Sequence, residues 1–133
     1  MKAVPLVYII DDDESVRKSV ARLLRVAGYQ VEPYCSGDEF LATARMAEHG
    51  CILLDLRMPG VSGEGFLDRL RTMKEALPVV VISGHGDEQI KADMFEKGAV
   101  AFLAKPFDDQ ELIDAIEMAL VTNRREVGER GEG

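Results

Sequence analysis

The chain has no surplus of positive charge, no long apolar run and only 2 cysteines, and each lack closes off a class of function. Acidic side chains number 24 against 16 basic ones, a formal net charge of −8. That balance leaves this domain by itself little nonspecific attraction for DNA or an anionic membrane. No stretch of apolar residues approaches the roughly 20 that a membrane span requires, and the first residues do not form a signal peptide. The expected compartment is the cytoplasm, with no membrane contact. Cys35 and Cys51 lack metal-ligand spacing and any disulfide-rich context. Both are expected to be small, mostly buried side chains without a redox role. No internal repeat is present. What remains is an ordinary globular composition, 47% hydrophobic and 30% charged over 133 residues. One domain of that size can close a core without staples.

Short apolar runs in this chain end in polar groups, and their order is informative. Leu6-Val7-Tyr8-Ile9-Ile10 leads into Asp11-Asp12-Asp13, and Cys51-Ile52-Leu53-Leu54 leads into Asp55. Val79-Val80-Val81-Ile82 leads into Ser83, and Val100 to Ala104 leads into Lys105-Pro106. Near-continuous apolar runs of this length suit parallel strands buried on both faces. The run at 30–34, Gln30-Val31-Glu32-Pro33-Tyr34, alternates and contains proline, which predicts an edge strand.

Helical spacing recurs between the runs. Val16, Val20, Leu23 and Leu24 share one face, as do Phe66, Leu67, Leu70 and Met73, and again Leu112, Ile113, Ile116 and Leu120. A fourth helix near 88–97 has the weakest stripe, only Ile90 and Met94 being well placed, which makes it a candidate moving part. Gly28 and Gly98 follow helical stretches where a left-handed residue is wanted. Ser36 with Glu39 forms a capping-box pattern, and Asp108 with Glu111 forms its aspartate variant. The alternation predicts an α/β fold, βαβαβαβαβα, with helices on both faces of a parallel sheet. After Thr122 the sequence turns charged and glycine-rich. The domain is therefore expected over 4–122, with 123–133 a frayed helix end, charged tail or start of a linker.

In such a sheet the polar endings share the edge at which open α/β folds bind ligands. Three carboxylates converging there without a counterion would repel one another and hold their protons more tightly. A hard divalent cation such as Mg²⁺ resolves that repulsion, typically through one or two carboxylates plus a phosphate. It would also let the anionic Asp55 be approached by an anionic phosphate donor. Asp55 could then attack phosphorus and form an aspartyl phosphate. Ser83 and Lys105, at neighbouring strand ends, would supply donors to the phosphoryl oxygens. A lone aspartate after a strand is usually a turn residue or helix cap, and that reading fits Asp13 or Glu14. Four compatible strand ends in one chain are harder to attribute to turn chemistry.

Ile9-Ile10-Asp11-Asp12-Asp13, Leu53 to Gly60 (LLDLRMPG), Val81-Ile82-Ser83-Gly84 and Lys105-Pro106-Phe107 together resemble the receiver domain of two-component response regulators. The likeness covers about residues 4–122. It implies a flavodoxin-like, doubly wound, five-stranded (βα)5 sheet of order 2-1-3-4-5. By the same resemblance Asp55 is the phosphoacceptor, Ser83 the switch hydroxyl, Lys105 the phosphoryl-binding lysine and Phe102 the aromatic switch residue. Phe102 has no hydroxyl, so its switching would work by ring burial. Mg²⁺ would be held by the carboxylates of Asp12 and Asp55, the backbone carbonyl of Arg57 and, largely through water, Asp11. The Lys105-Pro106 bond would be cis. Arg57 and His85 would border the path of the hydrolysing water, or else be plain surface and loop residues. His49 suits a helix end and suggests no catalysis.

The Ser83-Gly84-His85-Gly86-Asp87 stretch is similar to the FixJ-type branch, whose members usually carry a C-terminal helix-turn-helix. DNA contact would then come only through an output domain absent from these residues. The implied partner is a sensor histidine kinase or phosphotransfer protein, and a homodimer could form through the fourth helix and fifth strand. A stand-alone phosphotransfer or pseudo-receiver module is the nearest alternative, but the acidic pocket and lysine that pseudo-receivers lose are present. A Mg²⁺-dependent aspartyl-nucleophile phosphatase would want a second aspartate two residues after Asp55. Arg57 stands there and cannot donate a proton at neutral pH. A flavin carrier would meet three aspartates where its phosphate loop belongs. The expected protein is a phosphorylation switch, not an enzyme beyond its own phosphorylation and dephosphorylation.

Overall fold

A computed structural model describes residues 5–43, 49–55, 63–73, 77–84 and 88–132. Five parallel strands, β1 (Leu6–Ile10), β2 (Gln30–Tyr34), β3 (Gly50–Asp55), β4 (Val79–Ser83) and β5 (Ala101–Ala104), form one sheet of order β2-β1-β3-β4-β5. Five helices connect and follow them: α1 (Glu14–Val26), α2 (Gly37–Thr43), α3 (Gly63–Arg71), α4 (Glu88–Glu96) and α5 (Asp109–Glu132). The expected fold and strand order are both present.

Side chains along each strand alternate between two cores. Val7, Ile9, Leu53, Val80 and Ile82 face one way and pack with Val20 and Leu24 of α1 and Leu112, Ile116 and Leu120 of α5. Tyr8, Ile10, Ile52, Leu54, Val79 and Val81 face the other way, against Phe40 of α2, Phe66, Leu67 and Leu70 of α3, and Met94 of α4. The three central strands are thus wet on neither face, which is why their sequences read as continuous apolar runs. β2 alternates because it is an edge, and its Pro33 is tolerated there.

Local signals act largely as the sequence predicts. Asp13 caps α1, its carboxylate accepting from the N–H groups of Ser15 and Val16. Asp108 and Glu111 form both arms of a capping box at α5. At α2 only one arm is seen among the described residues: Glu39 N–H donates to Ser36 Oγ, while the Glu39 carboxylate pairs with the Cys35 thiol 2.6 Å away. Gly28 and Gly98 have φ of 102° and 106°, the left-handed region where a side chain is strained.

Two expectations need correction. Cys35 is exposed, although Cys51 is fully buried: β2 ends at Tyr34, and Cys35 begins the loop at the sheet's edge. Met73 is 40% exposed because α3 ends at Arg71 and leaves it outside the helical stripe. Helical backbone continues past Thr122 to Glu132 in α5, over a segment for which a helix end was one of the expected readings. Among the described residues no helix is long and apolar enough to cross a membrane.

Candidate functional site: an acidic pocket at the C-terminal edge of the sheet

β1 and β3 lie side by side with Ile10 opposite Leu54, so the residues that follow them emerge together. Asp11 continues β1, Asp55 ends β3, and both are almost fully buried, at 3% and 4% exposure. Asp12 is exposed at the mouth. One carboxylate oxygen from each of the three lies within 4.8 Å of the others. Two ligand oxygens on one octahedral Mg²⁺ stand about 3.0–4.2 Å apart, from a bond of about 2.1 Å. A small inward shift of the most separated pair would therefore fit the three to one ion.

The electrostatics are strained in the same sense. Burial, first of all, pushes the Asp11 carboxyl up to about 6. Repulsion from Asp55 and a hydrogen bond to it add to this, while the Asp13 N–H and the Lys105 charge pull the other way. Lys105 Nζ is 3.7 Å from Asp55 Oδ2. One lysine against three carboxylates leaves a deficit that a divalent cation matches in charge, size and donor type.

β4 and β5 bring the remaining groups. Ser83 ends β4 and is 3% exposed. Its carbonyl accepts the Lys105 N–H at 2.8 Å, so the serine and lysine loops are tied through the main chain. The Lys105-Pro106 bond is cis. Phe102 pairs with Val81 across β4 and β5 and is half-buried against the core that contains Met94. Asp11, Asp12, Asp55, Ser83 and Lys105 thus gather at one edge, and Phe102 sits one strand away on the α4 side. Arg57, His85 and the Met58-Pro59-Gly60 turn lie outside the described residues.

Sequence reasoning missed Arg17. Its Nη1 donates to the Asp11 carbonyl at 2.7 Å, from the N-terminal half of α1. The available signal was a cation near the positive end of a helix dipole, where it is locally unfavourable.

The chain matches the model of the response regulator receiver domain over residues 7–117. The transcriptional regulatory protein FixJ of Rhizobium meliloti (strain 1021) is 43% identical over 113 residues, covering 85% of this chain and 55% of that protein. Full-length FixJ from B. japonicum superposes with a TM-score of 0.85 at 33% identity, over 96% of this chain and 63% of that one. The Vibrio cholerae chemotaxis protein CheY4 superposes with a TM-score of 0.82 at 30% identity, over 89% of this chain and all of that one, 100%. The chain spans about half the length of the curated relatives it matches first, 55% and 51%. With its acidic pocket, strand order and sequence in agreement, this chain belongs to the response regulator receiver domain family, on its FixJ-like side.

Proposed function

We propose that this domain is a phosphorylation-controlled switch that takes a phosphoryl group onto Asp55 from a sensor histidine kinase or phosphotransfer protein. The observation that carries the reading is the buried Asp55 carboxylate with Asp11 and Asp12 on one side and Lys105 Nζ 3.7 Å away on the other. A Mg²⁺ ion held by Asp12, Asp55 and Asp11, with the Arg57 carbonyl as a further ligand, would supply charge neutralisation and orientation for the incoming phosphate. An Asp55 oxygen attacks phosphorus while the bond to the donor's leaving group breaks. Lys105 then pairs with one phosphoryl oxygen and the Ser83 hydroxyl donates to another. Shielding by the surrounding strands limits the water that could hydrolyse the product.

The reaction is the domain's own phosphorylation and dephosphorylation, not turnover of a separate substrate. On this reading residues 4–122 form the receiver, and 123–133 are a charged tail or the start of a linker. Any DNA contact belongs to an output domain outside these residues, as the regulatory names and greater lengths of the relatives suggest. A homodimer through the α4–β5 face and a cytoplasmic location complete the reading. Incubation with acetyl phosphate and Mg²⁺ is expected to add one phosphoryl group by intact-mass measurement, and Asp55→Asn to abolish it. Undiminished labelling of Asp55→Asn would refute the assignment.

A further inference from the structure

Three different elements hold the hydrogen-bonding groups of Asp11. Its N–H donates to the Tyr34 carbonyl at the end of β2, at 3.1 Å. Its Oδ1 accepts from the Asp13 N–H at 2.9 Å. Its carbonyl oxygen accepts from Arg17 Nη1 at 2.7 Å. The first two contacts are made by main-chain groups, which any sequence could supply. The third needs a long, cationic side chain reaching back over the first turn of α1. That is the positive end of the helix, so neither the dipole nor helix propensity calls for an arginine aimed there. A short, charge-assisted bond to the loop does.

A carbonyl belongs to a planar peptide unit, and the Asp11 carbonyl shares its plane with the N–H and Cα of Asp12. Whatever holds that oxygen sets the direction in which Asp12 leaves β1. The exposed Asp12 carboxylate has no hydrogen bond or ion pair holding it among the described residues. Its aim toward Asp55 therefore depends on its backbone. We propose that Arg17 is a positioning residue for the acidic pocket, its guanidinium fixing the Asp11–Asp12 peptide plane so that both carboxylates meet Asp55 within the span of one divalent cation.

The effect is one of geometry and not of charge compensation. The contact Arg17 makes is with the main-chain oxygen of Asp11. It ties the loop of Asp11 to α1.

The inference rests on the reading of Asp11, Asp12 and Asp55 as a Mg²⁺ site, and the test separates the two. Mg²⁺ is titrated by calorimetry into the full chain and into Arg17→Lys, Arg17→Gln, Val20→Ala and Asp12→Ala, with a melting curve for each. Removing groups that orient metal ligands typically weakens metal binding by about 10–100-fold. Arg17→Gln is expected to weaken Mg²⁺ binding by about 10-fold or more. Arg17→Lys is expected to weaken it too, since lysine keeps the charge but loses the planar fork. Val20→Ala loosens the same helix from the sheet, so it is expected to lower the Tm and leave Mg²⁺ affinity unchanged. Unchanged affinity in both Arg17 variants overturns the proposal. So does full affinity in Arg17→Lys with loss only in Arg17→Gln, because charge would then suffice. A loss in Val20→Ala equal to that in the Arg17 variants overturns it as well, by reducing Arg17 to general support of α1. If wild type binds no Mg²⁺, or Asp12→Ala binds it equally well, the metal site itself is wrong and the role of Arg17 falls with it.

Discussion

Replacing Asp11 with asparagine is expected to make this protein more stable near neutral pH, at the expense of the pocket. Burial and the neighbouring Asp55 raise the Asp11 carboxyl from its ordinary 3.8 to about 6. Below pH 3.8 the group is protonated in folded and unfolded chains alike, and it contributes no penalty. Between 3.8 and about 6 the unfolded chain releases the proton while the folded one retains it. Native stability therefore falls as pH rises through that window and is lowest above it. At about 1.36 kcal/mol per pH unit between the two values, the penalty at pH 7.5 without divalent cations is about 3 kcal/mol. Asparagine keeps an Oδ1 that can accept the Asp13 N–H, now 2.9 Å away, and has no charge to bury. Urea unfolding without Mg²⁺ is expected to show Asp11→Asn about 3 kcal/mol more stable at pH 7.5, or about 10 °C higher in Tm for a domain of this size. The gain is expected to shrink to a small fraction at pH 4. Adding Mg²⁺ at pH 7.5 narrows it from the other side, because the ion stabilises wild type by binding the folded state. No gain at pH 7.5, or the same gain at both pH values, would refute the account of Asp11 as a buried, repelled carboxylate.

Cysteine alkylation provides a second check: Cys35 is expected to react in the native protein and Cys51 only after unfolding. The Glu39 carboxylate beside Cys35 raises its thiol above the usual range, so Glu39→Gln is expected to speed its alkylation at pH 8. Gly50→Ala would place a Cβ 2.2 Å from the Leu6 carbonyl oxygen, forcing β1 and β3 apart; a loss of about 3 kcal/mol in urea unfolding is expected, at the upper end for overpacking. Amide hydrogen exchange with and without beryllofluoride, a phosphoryl mimic, is expected to change most between about residues 83 and 106. Changes confined to α1 and α2 would exclude the α4–β5 route.

The sheet was legible because its signals are local and concordant. β1, β3 and β4 advertise burial on both faces through unbroken apolar runs, and Pro33 marks β2 as an edge. The pocket was legible because polar residues at the ends of parallel strands must share an edge. What escaped was set by side-chain reach and by where elements stop. Arg17 spans six positions to the Asp11 carbonyl, and no periodicity records a bond from side chain to backbone. Cys35 was misjudged because cysteine's usual burial outweighed its place one residue beyond an edge strand. Over 123–132 the glycines at 128 and 131 lower helix propensity without forbidding it, so composition left helix end, tail and linker all open.

The two faces of the sheet also differ in how firmly their helices are held, and the difference bears on where a phosphoryl signal could go. α5 seats Leu112, Ala115, Ile116, Ala119 and Leu120 in the core, whereas α4 seats only Met94, with Ile90 half-buried. At about 1.5–3 kcal/mol for each large apolar side chain buried, three such residues hold α5 and little more than one holds α4. The Lys97–Asp68 ion pair, 3.0 Å long, ties the residue after α4 to α3, and with Asp68 half exposed it is worth at most about 1 kcal/mol. On the proposed reading, a phosphoryl group on Asp55 would gain charge-assisted bonds from Ser83 and Lys105, at about 1.5–3 kcal/mol for each. Together the two come to about 3–6 kcal/mol, comparable to the anchorage of α4 and toward the low end of the about 4.5–9 kcal/mol that holds α5. Phe102 is half-buried on the same side as Met94, and on the proposed reading its ring would fill the space that opens as the Ser83 loop moves inward. On that reading the imbalance would make α4 and β5 the face that a phosphoryl group moves, with α1 and α5 keeping the rest of the sheet in register.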